Sequence, residues 1–257
     1  MSFRTICLGL LLGCAGLETR PAQATNVYIN NFDTAPLIEP GVSAVLSGPT
    51  LLASVQGWVG LGTGSNTFDG QMLGNQASGN PAAATQLTLT NLPAHNFVTI
   101  NFLLAMVDSW DGAEGNLAGP DYLLVTVDGA TILRETFASD GRPQSYAPPA
   151  GVQLAKNIQL GYVGGDFKDS AYNMGLDPRF QKIPHISSSL TISWRAFGEG
   201  YEGGTQEWFA LENVGIATVV PEPSSFVLLG GAALGLALFA RGRKCTSGTR
   251  ARITAGG

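Results

Sequence analysis

Charged side chains make up 13% of the 257 residues, about half the usual ~25%, and the chain has only three cysteines and two histidines. Each shortage excludes something. Cys7 and Cys14 fall in the leading segment and Cys245 near the end, so residues 25 to 219 hold no thiol. Neither an internal disulfide nor a cysteine nucleophile is available there. Gly-x-Ser-x-Gly, His-Glu-x-x-His and Walker A patterns are also missing, which removes the common nucleophile, zinc and phosphate-loop templates. His95, in Leu92-Pro93-Ala94-His95-Asn96, and His185, between Pro184 and Ile186, read as structural turn histidines. No long helical periodicity is present, and 34 glycines with 14 prolines break helices too often for a bundle while suiting short strands and turns. Disorder is unsupported as well, because 44% of residues are apolar and mean hydropathy is +0.15. Residues 25 to 220 carry seven basic against seventeen acidic groups. Clustered cations for phosphate binding are lacking, which argues against a nucleic-acid partner.

What is present begins at the two ends. Met1 to Arg4 is a short positive start, Thr5 to Gly16 an apolar run, and Ala22-Gln23-Ala24 a small-x-small site. Together they read as a signal peptide over 1–24, cleaved before Thr25. A competing reading takes Leu11-Leu12-Gly13-Cys14 as a lipobox, with Cys14 lipidated. At the other end, the 17 residues from Ser224 to Ala240 are apolar and would span roughly 25 Å as a helix, the lower limit for a bilayer. Arg241-Gly242-Arg243-Lys244 follows and favours a cytoplasmic tail. Alone, this is a C-terminal membrane anchor. Pro221-Glu222-Pro223 immediately before it makes residues 220–257 resemble the PEP-CTERM sorting signal of Gram-negative bacteria. That resemblance implies export, signal peptidase and exosortase as processing enzymes, an inner-membrane-anchored intermediate, and a final place at the cell surface or outside it, often with exopolysaccharide.

Between the ends, residues 25–219 contain no linker, charge block or repeat, and read as one domain. Thr85 to Thr90 and Ser187 to Phe197 alternate apolar and polar residues as half-buried strands do. Asp121 to Phe137 contains two β-rich runs joined by Asp128-Gly129, a tight hairpin signal. Asn96 to Val107 is apolar on both faces in its second half and reads as a central strand. With Val27 to Phe32, Leu51 to Trp58, Val152 to Leu160 and Trp208 to Thr218, the expectation is nine or ten strands in an all-β, two-sheet antiparallel sandwich of jelly-roll type. Trp58 and Trp194 are expected in its core.

Two segments, Asp108-Ser109-Trp110-Asp111-Gly112 with Pro120-Asp121-Tyr122, and Glu207 to Val214, resemble parts of bacterial lectin-like and carbohydrate-binding sandwiches. The resemblance implies that the first strand lies beside the last and that the domain contacts a glycan. Aromatic rings stack on sugar faces, and Trp110, Tyr122 and Tyr201 are the candidates. Calcium is the candidate cofactor, because it takes six to eight hard oxygens. One candidate group is the crowded loop Asp108, Asp111, Glu114 and Asp121, whose competing reading is a solvated turn. The other is Asn31, Asp33 and Glu212, which meet only if the terminal strands pair. The preferred function is a non-enzymatic surface or matrix protein interacting with exopolysaccharide or another surface glycan. The alternative is a secreted glycan hydrolase using two carboxylates.

Overall fold

A computed structural model describes residues 24–113, 120–139, 141–162 and 167–220. The signal peptide, Glu114, Pro221-Glu222-Pro223 and the apolar segment 224–240 lie outside the described residues. The described residues belong to one unit, Ala24–Val220. It runs through β1 (Ala24–Asn30), β2 (Leu37–Ile38), β3 (Ser43–Ser47), β4 (Leu51–Ser54), β5 (Gly62–Thr63), β6 (Asn66–Thr67), β7 (Gln71–Asn75) and β8 (Thr85–Thr90). The second half holds β9 (Phe97–Asp108), β10 (Asp121–Val127), β11 (Ala130–Thr136), β12 (Gln153–Ile158), β13 (Asp169–Asn173), β14 (Ile183–Pro184), β15 (Ser189–Gly198) and β16 (Glu207–Val219). Every pairing between strands is antiparallel.

One main sheet has the order β12-β13-β9-β16-β1-β2, with β14 on β9, β7 on β16 and β4 on β7; the other has the order β11-β10-β15-β8-β3, and β5 and β6 pair separately. The two sheets form the expected all-β sandwich. Leu87, Leu89, Val125 and Trp194 from one sheet and Ile100, Phe102, Leu104 and Phe209 from the other share a fully buried core. Each comes from the apolar half of a period-2 pattern, which is why strand formation and core formation coincide. The expected hairpin is β10–β11, with Val127 opposite Ala130. Asp128 and Gly129 adopt φ of 47° and 81°, the left-handed pair that a two-residue turn of matching twist requires.

β9 is central, between β13 and β16, and its two apolar faces enter different cores. Ile100, Phe102 and Leu104 face the opposing sheet, whereas Leu103, Ala105 and Val107 pack under Trp58, Met72 and Trp208. Trp58 belongs to this outer layer, on a single 3-10 turn (Gln56–Trp58) rather than on a strand. The described residues hold sixteen strands rather than nine or ten: β3, β7 and β13 and the two-residue β2, β5, β6 and β14 were not expected from the sequence. β7 and β13 are buried on both faces, so their residues show no alternation to read.

The terminal strands do pair: Ala24 lies opposite Val219 and Asn30 opposite Val214. The chain therefore enters and leaves at one end of the sandwich. β16 then runs along β9 from Val219 opposite Phe97 to Glu207 opposite Asp108, roughly 36 Å away at ~3.3 Å per residue. Replacing Phe102, which meets Phe180 and Trp194 edge-on at centroid distances of 5.1 and 5.8 Å, tests this core. Phe102→Ala should lower unfolding free energy by about 3–5 kcal/mol in urea titration, whereas Thr88→Ala on the partly buried Thr88–Thr191 pair should cost under about 1 kcal/mol.

Candidate functional site

The end of the sandwich away from the chain entry and exit is built from acids in core positions. Along β9, β10 and β16 the inward positions are Met106, Leu123 and Phe209, and the next inward positions toward this end are Asp108, Asp121 and Glu207. All three are at most 1% exposed. Asp108 and Glu207 are paired in register on adjacent strands, and Asp121 comes from the other sheet.

Their partners differ. One oxygen of Asp121 accepts the Asp111 N–H at 2.7 Å, while its Oδ1 has no hydrogen-bond partner. Glu207 accepts the Glu202 N–H. Burial raises the affinity of both Asp121 and Glu207 for protons; Glu207, beside the Asp121 carboxylate, is pushed up to about 9 and keeps its proton at neutral pH. Asp108 begins the next loop in the left-handed region, at φ 63°, a conformation that aspartate adopts more readily than most residues. Its N–H donates to Asp169 Oδ1 at 3.0 Å, and the Leu160 N–H donates to Asp169 Oδ2 at 2.7 Å. Both Asp108 carboxylate oxygens are buried without a partner. Burial, and then the neighbouring Asp169, raise the Asp108 carboxyl to about 7.

Asp108 lines a cavity of about 180 Å³ with Ser109, Asp111, Ser139, Arg142, Phe167 and Lys168. An outer groove of about 460 Å³ shares Ser109, Asp111, Arg142 and Phe167 with it and is completed by Glu199 to Glu202 and Glu207. Arg142 is ion-paired to Asp111, and the Ser139 hydroxyl is buried without a partner. Sequence reasoning missed Ser139, Arg142, Phe167, Lys168, Asp169 and Glu207 as members of this site. Glu207 alone left a signal, an acid occupying an inward position of an apolar strand.

The aromatic expectations need correction. Trp110 is fully buried: its indole N–H donates to the Trp208 carbonyl at 3.0 Å and its ring packs against Tyr201 and Phe137. Polar neighbours in a glycine-rich loop did not keep it at the surface, because its ring closes this end of the core. Tyr201 is 6% exposed, with its hydroxyl buried near Glu207 and Asp121. Tyr122 is half-buried on the outer face of its strand, stacked on Phe197 at 4.9 Å and covered by the Arg134 guanidinium at 4.4 Å, so its faces are occupied by this chain's own side chains. The histidines sit together at the opposite end: His95 Nε2 lies 2.6 Å from His185 Nδ1, and His185 Nε2 reaches Asp128 at 3.0 Å. This pins the β10–β11 turn to the entry of β9.

A second carboxylate group forms where the terminal strands meet. The Gln71 N–H donates to Asp33 at 2.8 Å and the Asp69 N–H to Glu212 at 3.1 Å, and the other Glu212 oxygen is buried without a partner. Gly70, at φ 60°, lies so close to Asp33 that a Cβ would overlap its carboxylate. Asn31 Oδ1 instead accepts from Asp33 N–H and the Thr34 hydroxyl, both at 3.3 Å. Asp69 is a member that sequence reasoning missed. Burial first, then Asp33 and Asp69, raise Glu212 to about 8. Among the described residues no three acids, histidines or cysteines are arranged to hold a metal ion by themselves, and no helix is long and apolar enough to cross a membrane.

Residues 219–244, which follow directly from the end of β16, match the family model of the PEP-CTERM protein-sorting motif. The chain carries a PEP-CTERM sorting motif. The motif implies an exported protein processed by exosortase, anchored in the membrane and then placed at the surface. No curated protein matches the chain. Among solved structures, it is similar to the Clostridium thermocellum endo-1,4-β-D-xylanase 10B (Xyn10B) CBM22-1-GH10 modules complexed with xylohexaose. The match is 9% identical, covers 75% of this chain and 28% of that chain, and has a TM-score of 0.30.

The buried acids make stability depend on pH with a definite sign. A carboxyl group whose folded pKa is raised stabilises the fold fully below its unfolded value, near 4.5 for glutamate, and that contribution is lost as pH rises through the folded value of about 9 for Glu207. The melting temperature should therefore fall between pH 5 and 9. Glu207→Gln, which keeps a neutral group at that place, should flatten the part of the fall above pH 7; an unchanged slope there would show that Glu207 titrates normally.

Proposed function

We propose that this PEP-CTERM protein is a non-enzymatic surface or extracellular-matrix component whose sandwich binds exopolysaccharide or another surface glycan at the loop-end cavity. The observation that carries the reading is that two residues lining that cavity hold buried hydrogen-bonding groups without a partner, the Asp108 carboxylate and the Ser139 hydroxyl. Buried polar groups without partners are costly, and a ligand rich in hydroxyls satisfies them. A sugar hydroxyl both donates and accepts, so it needs the mixed lining present here: carboxylates of Asp108 and Asp111, hydroxyls of Ser109 and Ser139, and cations of Arg142 and Lys168. Phe167, 43% exposed at the mouth, offers a ring to stack on a sugar face. The cavity lies at the Asp108–Glu207 end of β9 and β16, opposite the Ala24–Val219 end of the sandwich.

Hydrolysis is the weaker reading. Glycosidases hold a protonated acid and an ionised carboxylate at a set separation of about 5–5.5 Å or 6.5–9.5 Å, whereas Glu207 and Asp121 are both buried and each raises the other's affinity for protons or takes a backbone N–H. Two measurements decide the reading. The protein recovered from the surface or medium of its producer should begin at Thr25 by intact mass, and replacement of Pro221-Glu222-Pro223 should retain it in the membrane; a cytoplasmic product still beginning at Met1 would end the export reading. Against a polysaccharide panel the recovered protein should be retarded in affinity electrophoresis without releasing reducing ends, and reducing-end release would favour the hydrolase.

Calcium belongs to this reading as a structural ion near the terminal strands. The open, buried oxygen of Glu212, with Asp33 and Asp69 close enough to perturb it, supplies hard oxygens that carbonyls and water would complete to the six to eight that calcium takes. The loop acids fit less well, because Asp111 is paired with Arg142 and Asp121 with Glu207. Melting at pH 8 should rise with millimolar calcium and fall with chelator, and Glu212→Gln should abolish the difference. An equal calcium response in Glu212→Gln would move the ion elsewhere.

A further inference from the structure

We infer that the loop-end cavity selects the chain end of a glycan bearing a free amino group, with the ammonium seated on Asp108 and neighbouring hydroxyls on Ser139 and the Asp111–Arg142 pair. This rests on the glycan-binding reading and names the class of sugar.

Three observations carry it. The first is shape. The inner cavity, about 180 Å³, has room for no more than one sugar ring, and it shares Ser109, Asp111, Arg142 and Phe167 with the wider groove. One ring fits inside and the following residues lie in the groove, which describes a chain end. The second is charge. Among the described residues, Asp108, Asp111, Glu199 and Glu202 are the acids lining the two spaces besides the protonated Glu207, against Arg142 and Lys168, and Arg142 is paired with Asp111. A cleft of one sign concentrates ligands of the other, so uronate or sulfate chains are repelled and an ammonium is attracted. The third is the open acceptor. Two buried carboxylate oxygens without a partner need donors only, and an ammonium supplies three with a compensating charge, whereas a neutral hydroxyl leaves the charge uncompensated.

The groups around Asp108 set the pH dependence. Among the described residues, Asp169 on β13, Glu207 on β16, Asp111 and Arg142 on the loops beside it, and Lys168 in the cavity lining are the titratable and charged groups that face it. Burial and Asp169 hold the carboxyl at about 7, and an ammonium binds only its ionised form. Affinity should weaken about tenfold per pH unit below 7, where the amine itself stays charged.

The test is calorimetric titration of the exported, processed protein with four tetrasaccharides: the β-1,4-glucosamine tetramer, its fully N-acetylated form, cellotetraose and tetragalacturonate. Calcium chloride alone is a fifth titrant. The glucosamine tetramer should bind at least tenfold tighter than the acetylated form and cellotetraose, with no binding of tetragalacturonate. Asp108→Asn, which keeps shape and tolerates the left-handed backbone, should remove the preference and the pH dependence. Ser139→Ala should weaken the three uncharged or cationic sugars alike. Equal binding of the glucosamine tetramer and cellotetraose would overturn the amino-sugar inference while leaving the glycan reading intact. Tight binding of tetragalacturonate, or a preference unchanged in Asp108→Asn, would overturn it too. Calcium binding that displaces the glucosamine tetramer and disappears in Asp108→Asn would identify the cavity as a metal site instead. Absence of binding to all four sugars would defeat the inference together with the reading beneath it.

Discussion

The pairing of β9 with β16 is the constraint from which the rest of the molecule follows. Both strands are buried on two faces for much of their length, one against the opposing sheet and one under the Trp58 and Trp208 layer. A one-residue slip in either would exchange two complementary apolar sets, so the register is fixed. The only interruption is between Glu212 and Gly215, where Asn213 adopts φ 50° and its side chain bonds the Thr67 carbonyl. That bulge turns Val214 back into the core after Leu211 and leaves Glu212 facing Asp69. One irregularity thus maintains the core and builds the second carboxylate group.

Fixing that register also fixes which end is which. The chain's entry and exit sit together at the Ala24–Val219 end, and the inward acids at the Asp108–Glu207 end. An acid in an inward position opposes stability, since a buried carboxylate must be neutralised by a proton, a hydrogen bond or a counterion. Asp169 is satisfied by two backbone N–H groups, Asp121 and Glu207 each accept one backbone N–H with Glu207 protonated, and Asp111 is paired with Arg142. Asp108 is satisfied by none of these, and it lines the inner cavity together with the Arg142-paired Asp111. The partners each acid finds therefore separate those that complete the fold from the one left without any partner in the cavity lining.

Much of the fold was legible in the sequence because its half-buried strands alternate. β8, β10, β11 and β15 announce themselves in this way, and Asp128-Gly129 marks the hairpin. β7 and β13 were not legible, since strands covered on both faces have no period to detect. Of the candidate site, Asp108, Asp111 and Asp121 were visible as a crowded acidic loop, and Asp33 and Glu212 through the resemblance of the last strand. Arg142, Ser139, Phe167, Lys168 and Asp69 were not, because they reach their sites from segments distant in sequence. Trp110 misled for a physical reason: local polarity says little about a ring that caps the end of a core.

The account stands on the carboxyl groups at the loop end being desolvated and unequal. The measurement that reaches this most directly is a carbon-13 NMR titration of the aspartate and glutamate side-chain carboxyls, assigned through Asp108→Asn and Glu207→Gln. The account predicts that Glu207 remains protonated at pH 7 while Asp108 is near the middle of its titration. Both resonances titrating near pH 4, as exposed carboxylates do, would contradict it, for the acids would then be solvated and the cavity would hold no unsatisfied charge.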